Sequence, residues 1–212
     1  MPDMTAILIL AAGGSSRMGR PKQLIDYRGQ PLLRHAARTA LEAALGPVIV
    51  VLGSSGDVCQ AAVAGLDVRC LRNANWKLGL STSIRLGIEH VSTLPVGRVV
   101  IMLCDQPEIT AGHLRLLVEG CADPMLAAAT AYEGTLGVPA AFHRSLFPQL
   151  LTLTGDQGAK EVLRRRQKLC AAIPLAAAAL DIDTPADAAA LKGAAPSEPS
   201  HALHSPKEEP WL

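Results

Sequence analysis

The sequence predicts a three-layer α/β fold with a mainly parallel central sheet, on three observations. Short apolar runs rich in β-branched residues alternate with amphipathic stretches along most of the chain. Of the 212 residues, 49% are hydrophobic but only 3% aromatic, so the core has to be built from Ala, Leu, Val and Ile. That palette suits helices layered on a sheet better than an aromatic-rich sandwich. Strand–helix alternation then implies parallel strands covered on both faces.

The elements follow in order. Residues 6–10 read as a buried strand closed by Gly13 and Gly14, and residues 31–45 as a helix whose Pro31 sits where a first-turn proline is tolerated. Residues 48–52 form a second strand stopped by Gly53, with a helix following to about residue 64. Residues 68–71 are a brief third strand, 81–91 a helix, and 99–103 a fourth strand ending on Cys104-Asp105. Thr110 is the expected N-cap of the helix carrying Leu114, Leu117 and Val118. Residues 125–131 and 171–180 are each strand or alanine-rich helix, which period alone does not decide. Residues 157–167 read as helix, and residues 185–191 as a short closing helix capped by Thr184. The expected organisation is one domain over 1–191 and a flexible Pro/Ser-rich tail over 192–212.

Charge and cysteine content exclude several function classes. Lys plus Arg number 20 against 19 Asp plus Glu, a net charge of +1, which with few rings argues against a nucleic-acid surface. Cys59, Cys70, Cys104, Cys121 and Cys170 form no Cys-x-x-Cys pair, so zinc ligation is not expected and free thiols in a reducing cytosol are. No run approaches the roughly 18 apolar residues of a membrane span, and Asp3 precedes the apolar stretch 6–12, against a signal peptide. The expected localisation is cytoplasmic, with no membrane and no nucleic-acid partner.

Ligands of parallel sheets bind beyond the carboxyl ends of the strands. The loop after the first strand carries the most information: Leu10-Ala11-Ala12-Gly13-Gly14-Ser15-Ser16-Arg17-Met18-Gly19-Arg20-Pro21-Lys22. Its glycines and serines let backbone N–H groups cradle an anion, while Arg17, Arg20 and Lys22 add positive charge. It is not a P-loop, because Arg20-Pro21 follows Gly19 where Lys-[Ser/Thr] is required. Nor is it the dinucleotide fingerprint, since Gly13-Gly14 breaks Gly-x-Gly-x-x-Gly and no acid ends the second strand.

The loop resembles the signature of the molybdenum cofactor nucleotidyltransferase family, whose members attach a nucleotide to molybdopterin on a MobA-like NTP transferase fold. The resemblance extends to about residue 191. Ala11-Ala12 before the first glycine is similar to the cytidylyltransferase branch; the guanylyltransferase branch usually has a further glycine there. The resemblance implies a Rossmann-like, GT-A-like nucleotidyltransferase sheet, Mg²⁺, and a nucleoside triphosphate over this loop. Leu10, Ala11, Ala12, Gly13, Gly14 and Ser15 would hold base and ribose largely through backbone, and Arg17 and Lys22 would meet the triphosphate.

Asp105, at the carboxyl end of a buried strand and followed by Gln106-Pro107, is placed as a hard oxygen ligand. Mg²⁺ takes one or two carboxylates plus phosphate oxygens and water. In Asp181-Ile182-Asp183-Thr184-Pro185, alternation puts Asp181 and Asp183 on one side of an extended segment, and both remain candidates. The resemblance assigns the metal role to Asp183. It also implies that Asn75, Gly79 and Ser81, in the stretch Asn73-Ala74-Asn75-Trp76-Lys77-Leu78-Gly79-Leu80-Ser81, reach the nucleotide. Gly137, Pro139, Gly155, Asp156 and Gly158 would then lie on the acceptor side. The catalytic set is Arg17, Lys22 and Asp105. With few rings in the chain, the base is expected to be read by backbone and small side chains.

The implied activity is Mg²⁺-dependent transfer of CMP from CTP to the terminal phosphate of a molybdopterin-type acceptor, releasing pyrophosphate. A phosphate monoester nucleophile is already ionised, so no general base is needed, matching the lack of a Ser/His/Asp set. A transient contact with a molybdoenzyme or its chaperone would follow. Guanylyl transfer from GTP, or another phosphorylated acceptor, stays open within the family. Two readings from other classes stay open beside it: an NAD(P)-binding Rossmann oxidoreductase, weakened by the missing fingerprint, and a non-catalytic nucleotide-binding cofactor-delivery protein.

Overall fold

A computed structural model describes residues 4–14, 20–180, 182 and 187. The chain runs through β1 (Thr5–Ala11), the short strands β2 (Asp26–Tyr27) and β3 (Gln30–Pro31), α1 (Leu32–Glu42), β4 (Val48–Leu52) and α2 (Gly56–Ala62). It continues with β5 (Arg69–Arg72), α3 (Leu80–Ser92), β6 (Arg98–Leu103), α4 (Ala111–Gly120), β7 (Ala127–Tyr132) and β8 (Thr135–His143). The helices α5 (Phe147–Leu151) and α6 (Ala159–Arg165) and the strand β9 (Cys170–Pro174) complete the core. The expected tail over 192–212 and the closing helix over 185–191 lie outside the described residues, apart from Asp187.

A seven-stranded sheet in the order β5-β4-β1-β6-β8-β7-β9 organises the molecule. Every neighbouring pair is parallel except the two that involve β8, which runs against β6 and β7. The sequence reading assigns no strand to residues 135–143. Pro139 explains why: a proline within a run speaks against a central strand, because it cannot donate to the ladder. The structure accommodates it at an irregularity, where the register with β7 jumps from Ala129↔Ala140 to Thr130↔Gly137.

β1 is buried along its whole length. Its alternate residues face opposite layers, Ala6, Leu8 and Leu10 with Ile84, Ile88, Phe142 and Val162, and Ile7, Ile9 and Ala11 with Leu33, Ala37, Val50 and Leu114. The sheet is thereby covered on both faces, by α3, α5 and α6 on one side and α1, α2 and α4 on the other. Small residues set how closely the helices approach. A Cβ at Gly120 would stand 3.2 Å from the Ala128 methyl and 3.5 Å from that of Ala171, which seats α4 tightly on β7 and β9. Of residues 125–131, those from Ala127 on are strand, which runs to Tyr132, and residues 171–180 are the rest of a strand followed by a 3-10 turn over Ala176–Ala179. Among the described residues no helix is long and apolar enough to cross a membrane.

Gly87 does the same for α3, where an added Cβ would meet both Leu8 methyls at 2.5 Å. Gly87→Ala gains about 1 kcal/mol of helix propensity but overpacks a rigid core at a cost of about 1–3 kcal/mol. The expected result is a net loss of stability, read as a lower urea midpoint; a raised midpoint would show that the layer can yield.

Candidate active site

The carboxyl ends of β1, β4, β5 and β6 share one edge of the sheet, and the loops that leave them build the site. Leu10, Ala11 and Ala12 are buried while Gly13 and Gly14 are exposed, so the loop surfaces at its glycines. Gln23, in the 3-10 turn Lys22–Leu24, is buried and donates from Nε2 to the carbonyls of Ala11 (3.0 Å) and Gly13 (2.9 Å). One amide thus pins both sides of the bend. Gly53 lets the β4 loop lie directly against the Ala12 carbonyl, where a side chain would collide. Gly14 plays the same part toward Trp76, whose Cζ3 would stand 2.8 Å from an added Cβ.

Across the edge, Asp105 follows β6 and is only 4% exposed. Its Oδ2 accepts from the Lys22 ammonium in a part-buried ion pair. Its Oδ1 is buried with no hydrogen-bond partner among the described residues, an uncommon state for a carboxylate oxygen in a folded protein. The loop around it is held from several sides. The Ile182 N–H donates to the Asp105 carbonyl at 3.1 Å, and His35 Nε2 donates to the Pro107 carbonyl at 2.9 Å. The Tyr27 hydroxyl donates to Glu108 Oε1 at 2.7 Å; burial, with Glu108 beside it, pushes this phenol up to about 12. Gln106 Nε2 reaches the carbonyls of Val138 and Ala178, each at 3.3 Å. Ile182 is fully buried with Ile25, Tyr27 and Leu32, an apolar cluster that ties the segment after β9 to the residues following Lys22.

The third wall follows β5. Asn73 is buried, donates to Thr82 Oγ1 (2.8 Å) and Ser83 Oγ (2.9 Å), and accepts from the Asn75 N–H (2.9 Å). Asn75 is exposed, and its side-chain amide has no partner among the described residues. Gly79 has φ +107° and packs against the Gly155 carbonyl, so both chirality and space require glycine. That carbonyl accepts the Ser81 N–H at 3.1 Å. The loop before α6 is therefore joined to the start of α3.

With this geometry in hand, comparison with known proteins is informative. Residues 7–169 match the MobA-like NTP transferase domain. The chain belongs to that family. Nicotine blue oxidoreductase of Paenarthrobacter nicotinovorans is 31% identical over 176 residues, 78% of this chain and 84% of that protein. Purine catabolism protein PucB of Bacillus subtilis is 28% identical over 168 residues, covering 76% and 80%. The crystal structure of Rv0371c from Mycobacterium tuberculosis H37Rv superposes with a TM-score of 0.76 at 27% identity, over 92% of this chain and all of that one. Its complex with manganese superposes with a TM-score of 0.72.

In this MobA-like NTP transferase the structure gathers Gly13, Gly14, Lys22 and Asp105 on one edge, with Asn75 and Gly79 on the adjoining loop. Ser81 is placed differently. It is fully buried, its N–H donates to the Gly155 carbonyl, and its Oγ has no hydrogen-bond partner among the described residues, so any contact with a nucleotide would have to come through that oxygen and not the N–H. Gly137 and Pro139 are likewise buried and shape β8 instead of lining a surface, whereas Gly155 and Asp156 are exposed and Gly158 half-buried. Ser15, Arg17, Asp181 and Asp183 lie outside the described residues. Trp76 brings a ring to the glycine loop, which the scarcity of aromatics did not lead one to expect.

Gln23 and His113 escaped the sequence reading. Gln23 carries one signal, a polar residue directly after Lys22 at the start of an apolar run. His113 carries none: on α4 it is buried and donates from Nε2 to Thr130 Oγ1 at 2.8 Å, while Thr130 donates to the Pro139 carbonyl at 2.6 Å. The pair locks the β8 irregularity whose Val138 carbonyl meets Gln106. Burial lowers the imidazole below its ordinary 6.5.

Two outcomes are expected. Gln23→Glu removes the donor to two loop carbonyls and should cost about 1–3 kcal/mol in urea unfolding, with nucleotide affinity weakened about tenfold in titration calorimetry. For His113, the unfolded chain takes up a proton that the buried ring resists. Its contribution is therefore fully present above pH 6.5 and erodes as the pH falls below that value. In His113→Leu the difference between urea midpoints at about pH 7.5 and about pH 5.5 should shrink; an unchanged difference would remove His113 from the acid sensitivity.

Proposed function

We propose that the protein transfers CMP from CTP to the terminal phosphate of molybdopterin, with or without bound molybdenum, in a Mg²⁺-dependent reaction that releases pyrophosphate. The observation that carries this reading is Asp105: a buried carboxylate facing an anion-cradling loop, one oxygen on Lys22 and the other bare. A buried carboxylate oxygen with no protein partner is a hard donor that suits a cation, and a single carboxylate suits Mg²⁺, which completes its shell with phosphate oxygens and water. Among the described residues no three His, Cys, Asp or Glu side chains gather into a metal-holding group. Asp105, together with Asp183 as the family resemblance suggests, would hold the ion, and the ion would offset phosphate charge.

The protein's own groups supply positioning and charge. The N–H groups of Gly13 and Gly14 would meet phosphate oxygens from a bend that Gln23 fixes through the Ala11 and Gly13 carbonyls. Lys22, and Arg17 on the same loop, favour the charge that accumulates as the acceptor phosphate approaches the α-phosphorus in line and the pyrophosphate departs. Asn75 offers an unengaged amide to the nucleotide. The acceptor phosphate is already ionised at neutral pH, so the reaction asks no side chain to accept a proton.

The CTP preference rests on Ala11-Ala12 alone, and GTP or another phosphorylated acceptor is the alternative within the family. An oxidoreductase is a second reading, favoured by the 31% identity to nicotine blue oxidoreductase. A non-catalytic nucleotide carrier would have no use for the half-satisfied Asp105.

One assay separates these: pyrophosphate release from each of the four ribonucleoside triphosphates, with and without molybdopterin. CTP with molybdopterin and Mg²⁺ should give turnover, and Asp105→Asn should lower it by about 100-fold or more while keeping the urea midpoint near wild type. A clear GTP preference moves the protein to the guanylyl branch. NAD(P) co-purifying with the protein, with no pyrophosphate released, would establish the oxidoreductase reading instead.

A further inference from the structure

Under the transfer reaction proposed above, a seated triphosphate draws on both partners of the Lys22–Asp105 ion pair, with phosphates on Lys22 and the cation on Asp105. The same pair joins two stretches of chain far apart in sequence, one running from Lys22 to Tyr27 and the other from Asp105 to Glu108. A contact that substrate competes for cannot be what keeps those two stretches in register during the reaction.

Two hydrogen bonds run beside it and use no group assigned to substrate. The Tyr27 hydroxyl donates to Glu108 Oε1 at 2.7 Å, and His35 Nε2 donates to the Pro107 carbonyl at 2.9 Å. The Tyr27 and His35 rings meet edge to face with centroids 4.8 Å apart, so the two ties brace each other. A carbonyl can only accept, which assigns the imidazole proton to Nε2 and leaves Nδ1 to accept from Gln30 Nε2 at 3.5 Å.

The strands that carry Tyr27 fix its direction. β2 and β3 pair as Asp26↔Pro31 and Tyr27↔Gln30 across Arg28 and Gly29, whose φ values of 53° and 79° are both positive, as a tight two-residue hairpin turn requires. The Tyr27 side chain is buried with Ile25, Leu32 and Ile182. Arg28 lies over its ring at 4.8 Å and reaches Glu108 at 3.7 Å, which keeps the acceptor beside the phenol. Because burial and Glu108 push that phenol up to about 12, the hydroxyl stays protonated, and a donor, throughout the neutral range.

We propose that Tyr27 is a positioning residue for the transfer. Through Glu108, and braced by His35, it keeps Asp105 facing Lys22 and the glycine loop while the charges of that pair are given over to the cation and the phosphates. It touches no reacting atom. Ile182 brings a third stretch into the same cluster, since its N–H donates to the Asp105 carbonyl at 3.1 Å. This assignment rests on the transfer reaction and adds what holds its two charged segments together. Its consequence is selective. Loss of the tie loosens Asp105, and with it the metal-dependent part of nucleotide binding, whereas the glycine loop is pinned separately by Gln23.

The test uses the full chain with Tyr27→Phe, Glu108→Leu and Glu108→Gln, the last of which keeps an oxygen for the hydroxyl to donate to. Each of the four ribonucleoside triphosphates is titrated calorimetrically into wild type, and the tightest binder is then titrated into every variant, once with Mg²⁺ and once with EDTA. Mg²⁺ should strengthen binding to wild type. Tyr27→Phe and Glu108→Leu should each lose about tenfold in affinity with Mg²⁺ but less than about twofold in EDTA, and Glu108→Gln should stay within about threefold of wild type in both. An equal loss in the two titrations, which a general loosening of the fold would give, would overturn the assignment. So would unchanged affinities in Tyr27→Phe and Glu108→Leu, a Glu108→Gln loss as large as that of Glu108→Leu, or wild-type binding that is absent or indifferent to Mg²⁺. Wild type that binds a triphosphate more tightly with Mg²⁺ but releases no pyrophosphate would instead overturn the transfer reaction, and the titrations would still judge Tyr27.

Discussion

A carboxylate buried with only half of its hydrogen-bonding capacity used is the constraint around which this molecule is arranged. Removing Asp105 from water is costly, and one ammonium from Lys22 compensates only one of its oxygens. The arrangement persists because the surrounding contacts are made to the backbone of the Asp105 loop or to its other side chains. Ile182 and His35 bind carbonyls of that loop, and Tyr27 binds Glu108. Each fixes the loop without occupying Oδ1. The ion pair also joins the first strand's loop to the fourth buried strand, so the two halves of the site form one unit.

Close backbone contact carries that unit outward. Gly53 against Ala12 and Gly79 against Gly155 bring loops together at distances that no side chain allows. The second contact is consequential, since it ties the stretch around Asn75 to the loop before α6. The loops on either side of Asp105 are therefore not independent, and a shift in one is felt in the other. Ser81, sealed beneath this junction, supports the contact from below.

One fold serves proteins with differing functions here, as the names of the relatives make plain: an oxidoreductase, a purine catabolism protein and a nucleotidyl transferase share it. Fold alone does not settle chemistry; the carboxylate, its lysine and the glycine loop are the features that favour transfer.

Much of the architecture could be read directly from residue order. Residues 6–10, 48–52 and 99–103 are short apolar runs containing β-branched residues, bounded by glycine or a polar turn, and buried on both faces, so they have one reasonable conformation. Gly13-Gly14, Lys22 and Asp105 announced themselves because parallel strands present their carboxyl ends to ligands and because those residue types have few other uses there. Local chemistry was enough for these. It was not enough for residues 127–132, where Ala127, Ala128 and Ala129 have no strand preference of their own. Their conformation follows from ladder partners in β8 and β9 and from the fit of Gly120 against Ala128. Nor could it find β8, whose Pro139 argues against a strand until Thr130, itself held by His113, donates to its carbonyl. The burial of Ser81 and the pinning by Gln23 likewise depend on residues far apart in the chain. The sequence determined which segments are buried and where charge gathers, because those are properties of neighbours in order. Which atoms are satisfied and which are left bare was decided by tertiary contact, because a hydrogen bond needs both partners in place.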